Sequence, residues 1–131
     1  MEREENTRDR FVLKLINDTK RGVLHWTAIS PERTITPFNE RIISTVYKTV
    51  IDSKSLRIYK YTANLSELGG YQLHTTQNTQ TEVKVRLELI DYYENPLYTF
   101  VSDHALHTLF NAISESNSGV EELMENYLKA Q

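Results

Sequence analysis

The sequence predicts an α+β domain, and three observations carry that prediction. Apolar residues recur with a helical period at both ends of the chain, they alternate with period two in the middle, and the turns between the alternating runs are short enough for antiparallel hairpins. The expected layout is an N-terminal helix, an antiparallel sheet of about five strands and two C-terminal helices packed mainly on one face. Its 131 residues fit one domain, residues 1–131, with no internal repeat or linker.

In the first element, Phe11, Val12, Leu15, Ile16 and Thr19 fall on one stripe of a helix from about residue 8 to 20, capped by Asn6 or Thr7. Lys20 and Arg21 suit the negative end of the helix dipole, and Gly22 supplies a left-handed stop. Val23 to Ile29 then reads as a strand, with Leu24, Trp26 and Ala28 on one face and Val23, His25, Thr27 and Ile29 on the other. The lone tryptophan is assigned to the core.

Residues 30–40 contain two prolines and no consistent period, so they read as a loop anchored by Ile35 and Phe38. Arg41 to Ile51 is a β-branched strand whose two parities, Ile43/Tyr47/Ile51 and Ile42/Val46/Val50, are equally apolar. Asp52 to Ser55 is a turn, and Leu56 to Thr62 returns, with Leu56 and Ile58 opposite Arg57, Tyr59 and Tyr61. Residues 63–80 are irregular and rich in Thr, Gln and Asn, a connection that is functional, mobile or hiding a short strand at Tyr71 to Thr75.

Thr81 to Asp91 alternates cleanly, with Val83, Val85, Leu87 and Leu89 inward and Glu82, Lys84, Arg86 and Glu88 facing water. Asp91 to Pro96 is a turn, and Leu97 to Val101 closes a last hairpin. Ser102 is the expected cap of a helix over about 103–113, with Leu106, Leu109, Phe110 and Ile113 on one face. Asn117-Ser-Gly breaks the chain. Val120, Leu123, Met124, Tyr127 and Leu128 then form the apolar stripe of a final helix, opened by capping-box spacing at Ser118.

Composition narrows the function classes. With 39% hydrophobic and 25% charged residues, and no apolar run near ~18 residues, the chain reads as soluble, with no membrane association. The charged N-terminus is unlike a signal peptide, and the absence of cysteine excludes disulfides and thiolate chemistry, so a cytoplasmic location is expected. The net charge of -3 sits at the end: residues 1–110 hold 14 basic and 14 acidic side chains, whereas Lys129 stands against Glu115, Glu121, Glu122 and Glu125. That balance argues against a nucleic-acid partner.

No catalytic motif is present: there is neither Gly-x-Ser-x-Gly nor a phosphate-binding glycine loop, and Gly69-Gly70 reads as a turn. The chain is therefore expected to be no enzyme and to need no cofactor. His104 and His107 lie at i and i+3, a spacing compatible with metal, but no further ligand is fixed by sequence, so no metal is assigned. The eight tyrosines are more suggestive. Arg57, Tyr59 and Tyr61 share a face with Lys84 and Arg86, and together with Tyr71 and His74 they are the candidate binding residues for a small ligand or nucleotide. The final helix offers a docking surface rimmed by Glu121, Glu122 and Glu125, and the edge strands offer pairing with a second copy, so a protein partner or a homodimer is the leading expectation.

Phe11, Leu15 and Ile16, the junction Thr19-Lys-Arg-Gly-Val-Leu-His-Trp26, the tyrosine hairpin at Leu56 to Tyr61, Leu87-Glu-Leu-Ile-Asp91 and Leu106/Leu109 together resemble short, largely uncharacterised bacterial and phage proteins with the order helix, Thr-x-x-Gly-x-Leu-x-Trp, antiparallel strands, helix. The resemblance implies a fold and a microbial setting but no catalytic residue. It departs at Tyr92-Tyr93-Glu94-Asn95-Pro96, bulkier than the tight turn of that pattern.

Overall fold

The computed structural model describes residues 2–34, 36–64, 81–100 and 103–130. Helix α1 (Glu2–Lys20) leads into β1 (Thr27–Ile29), a 3-10 turn at Pro31–Arg33, β2 (Glu40–Ile42), β3 (Val46–Ile51), β4 (Lys54–Asn64), β5 (Thr81–Ile90) and β6 (Pro96–Phe100). Helices α2 (His104–Ser118) and α3 (Val120–Lys129) follow. Among the described residues all pairings are antiparallel; the order is β1-β3-β4-β5-β6, with β2 beside the far half of β4, giving six strands. The α+β architecture expected from the sequence is the one observed.

Helix α1 ends as its sequence requires. Gly22 takes φ +75°, and the backbone N–H groups of Gly22 and Val23 return to the carbonyls of Thr19 and Asp18 at 3.1 and 2.9 Å, the paired bonds of a Schellman stop. This stop consumes Val23 and Leu24, so strand β1 begins only at Thr27, four residues later than the alternation suggested. Trp26 is buried just before the strand, and its indole N–H donates to Thr19 Oγ1 at 3.0 Å. The neighbouring carbonyls are also satisfied: Thr49 Oγ1 donates to His25 at 2.7 Å and Asn117 Nδ2 donates to Trp26 at 2.8 Å.

The expected single strand over Arg41 to Ile51 is two strands in line. Ile42 pairs with Tyr61 and Tyr47 with Ile58, so five steps along this edge match three along β4, and two extra residues are looped out around Ser44. The Ser44 hydroxyl accepts the Lys60 N–H at 2.8 Å, and the Ile43 N–H donates to the Lys60 carbonyl at 3.0 Å, which repairs the interrupted ladder. Both parities are used. Tyr47 and Thr49 turn toward the helices, whereas Val46 is buried on the opposite face.

The main core lies between the sheet and α1 and α2. Leu56 and Ile58 from β4, Val85 and Leu87 from β5, and Tyr47 from β3 meet Val12, Leu15 and Ile16 of α1 and Leu106, Leu109, Phe110 and Ile113 of α2. Phe11 stacks on Phe100 at 5.8 Å between ring centres, and Tyr47 tilts against Phe110 at 5.6 Å. Lys60, on the same face of β4 as Leu56 and Ile58, places its ammonium 5.0 Å from the Phe110 ring.

Three local expectations are corrected. The cap of α2 is Asp103, whose Oδ1 accepts the Leu106 N–H at 3.1 Å, because a side chain three residues before that donor has the right reach; Ser102 lies outside the described residues. Helix α2 then runs to Ser118 and is stopped by Gly119 at φ +75°. Phe38, expected to anchor the loop, is exposed, and Ile35 falls outside the described residues. The β5–β6 turn is organised by Asp91, whose Oδ1 accepts the N–H groups of Tyr93 and Asn95 at 2.9 and 2.8 Å, leaving the Tyr92 and Tyr93 rings in water.

Candidate functional site

Two places concentrate the residues singled out in the sequence. The first is the face of the sheet turned away from α1 and α2. Cross-strand register sets Arg57 opposite Glu88 and Tyr59 opposite Arg86, with Tyr61 opposite both Lys84 and Ile42. The expectation that this face is open and wet is overturned: Tyr59 is 0% exposed, Arg57 1% and Glu88 3%. Alternation identifies which side chains share a face, but it does not reveal whether a second layer of chain covers that face. Tyr59, Tyr61, Ala63 and Val46 form a second small core, with Ile29 and Ile42 packed against it.

Its polar groups are arranged in pairs. Arg57 Nε and Nη2 both donate to Glu88 Oε1, at 2.9 and 2.7 Å, while Arg57 Nη1 has no hydrogen-bond partner among the described residues. Arg86 grips Glu40 with two parallel bonds, Nη1 to Oε1 at 2.7 Å and Nη2 to Oε2 at 3.0 Å, and Nη1 also donates to the Tyr59 hydroxyl at 3.2 Å. The same guanidinium lies 4.1 Å from the Tyr61 ring centre and 5.9 Å from that of Tyr59. Tyr59 and Tyr61 meet edge to face at 6.1 Å.

Protonation follows from this packing. Burial pushes the Tyr59 phenol above its ordinary value; the hydrogen bond from Arg86 pulls the other way and the Glu88 carboxylate adds to the rise. Burial alone would lower the Arg86 guanidinium, but its bonds to Glu40 and Tyr59 outweigh that and hold it above its ordinary value. At neutral pH this face therefore holds a neutral phenol beside paired ions. Sequence reasoning missed the Arg86–Glu40 clamp because Glu40 lies 46 positions away and carries no local signal. Of the five candidate binding residues, the structure brings Arg57, Tyr59 and Tyr61 together; Tyr71 and His74 lie outside the described residues.

The second place is α3. Its residues 121–130 are exposed, and Leu123, Met124, Tyr127 and Leu128 stand between 52% and 71% in water. Glu121, Glu122 and Glu125 line a cleft of about 660 Å³ whose other wall includes Lys20, Arg21 and Gly22 at the end of α1. No side chain of α3 is buried, so its acidic side and its apolar stripe are both in contact with solvent. An ordinary surface helix buries its apolar stripe.

The remaining candidates are plainer. His104 is exposed and His107 half-buried on α2, and among the described residues no group of three or more His, Cys, Asp or Glu side chains is placed to hold a metal ion. Among the described residues β1 and β6 stand at the two ends of the strand order, and β2 is a further short edge beside β4. Among the described residues no helix is long and apolar enough to cross a membrane. No protein family, no curated protein and no solved structure matches this chain.

Proposed function

We propose that this chain is a non-enzymatic interaction module, bacterial or phage in setting and cytoplasmic, that docks onto protein through the apolar stripe of α3. The observation that carries the reading is the exposure of that stripe: Leu123, Met124, Tyr127 and Leu128 stand in water, and Glu121, Glu122 and Glu125 line the cleft beside Lys20 and Arg21. A contiguous patch of large apolar side chains is costly to leave hydrated and is characteristic of a surface that is covered in use. The occupant is another protein or a second copy of this chain.

The test is in-cell cross-linking of the tagged protein in a bacterial host, comparing the wild-type chain with Leu123→Glu/Tyr127→Glu. Cross-linked species that depend on the stripe, including a species of twice the chain mass, support the reading. An identical cross-linking pattern for both chains sinks it.

A second reading, a small-ligand or nucleotide binder at Arg57, Tyr59 and Tyr61 with Tyr71 and His74, is favoured by one observation, the buried Arg57 Nη1 that lacks an acceptor among the described residues. A ligand that supplies one would raise the thermal midpoint through mass action. A panel of nucleotides that leaves the midpoint of the wild-type chain unmoved removes this reading.

A further inference from the structure

We infer that the occupant of the α3 stripe is the α3 of a second copy, lying antiparallel to it across a two-fold axis; this inference rests on the docking reading above and names its partner. Charge is the first argument. Glu121, Glu122 and Glu125 line the cleft toward Lys20 and Arg21 of the same chain, so the stripe itself presents Leu123, Met124, Tyr127 and Leu128 without carboxylates among them. A partner drawn by charge would seek the cleft instead. The stripe selects a neutral, apolar helix face, and a second α3 is one.

Self-complementarity is the second argument. In a closed two-fold contact each residue meets a counterpart that meets it in return. Laying the ten-residue helix antiparallel on its copy sets Leu123 against the partner's Leu128 and Met124 against the partner's Tyr127, so aliphatic meets aliphatic and thioether meets ring. The same arrangement opposes the two helix dipoles. A parallel pair would align the dipoles.

Area is the third. With those four side chains between 52% and 71% exposed, pairing removes on the order of 1,000 Å² from water across both copies, the lower edge of a specific interface. The expected dimer is therefore reversible and concentration-dependent.

Sedimentation of the purified full chain over a concentration series should pass from one chain mass to two, and Leu123→Glu/Tyr127→Glu should weaken association at least tenfold while leaving the circular dichroism of the sheet and α1 unchanged. A wild-type chain that stays monomeric throughout overturns the second copy as occupant; if stripe-dependent cross-links to other proteins persist in cells, the docking reading stands without it. A dimer that survives the double substitution places the interface elsewhere and overturns the inference too. Direction is read separately. The chain has no cysteine of its own, so Leu123→Cys and Leu128→Cys proteins can be mixed and oxidised. Antiparallel pairing yields the mixed 123–128 disulfide as the main cross-linked peptide, whereas predominance of 123–123 and 128–128 species overturns the antiparallel arrangement.

Discussion

Trp26 donates its indole N–H to the hydroxyl of Thr19 at 3.0 Å, and both groups are buried, so the residue that closes the first helix and the residue that opens the sheet are tied by one bond. Replacing Thr19 by Val should leave that N–H without an acceptor and cost about 1–3 kcal/mol, whereas Trp26→Ala, which also empties the space under the ring, should cost about 3–5 kcal/mol. Urea unfolding of the two variants checks the order; equal midpoints would mean that the bond contributes nothing beyond the ring.

A buried ion pair predicts non-additivity. Arg57 and Glu88 lie on adjacent strands with side chains 1% and 5% exposed. Arg57→Met alone should cost about 3–5 kcal/mol because it strands the carboxylate, while Arg57→Met/Glu88→Leu should recover most of that loss. A double variant as unstable as the single one would contradict it.

Alkaline stability should report Tyr59. Its phenol is raised when folded, chiefly by burial, so the native state holds this proton more tightly than the unfolded chain, in which tyrosine ionises near about pH 10. The contribution is complete below that pH and is lost as pH rises through the folded value. Ultraviolet difference titration should show one tyrosine resisting ionisation, and Tyr59→Phe should flatten the fall of stability above about pH 10. An unchanged slope in the variant would assign the fall to other groups.

Helix α3 should be the least protected helix. It has ten residues and no buried side chain, below the ~12–15 residues at which isolated helices become even marginal in water. In the Leu123→Glu/Tyr127→Glu chain, its amides should exchange well before those of α2, and wild-type protection should grow with concentration. Equal protection of α2 and α3 in the variant would show that α3 is held by the body of the chain.

Much of the architecture was legible because it is written in short-range periods. The alternation through Val85 and Leu87, the stripe from Val12 to Ile16, and the stop at Gly22 each need only a few neighbours to interpret, and each lies where its pattern placed it. Tyr59 and Tyr61 failed as an open face because burial there depends on what the chain lays over the sheet, a long-range property that strand parity does not carry. For α3 the stripe itself was readable, but its exposure was not: amphipathicity says that a helix has two sides, and it does not say whether the body covers either of them.

The looped-out residues around Ser44 carry a consequence for length variation. Because the excess on the β2–β3 edge is two residues, side chains before and after it keep the same parity, and Ile42 and Val46 both serve the second core. Deleting Ser44 and Thr45 together would splice two strands into one with every face preserved. Removing Ser44 alone would exchange inside for outside along all of β3, driving Lys48 into the helix-side core and Tyr47 out of it. This edge of the sheet therefore tolerates change in steps of two residues, and a shorter chain with an intact fold should differ here by an even number.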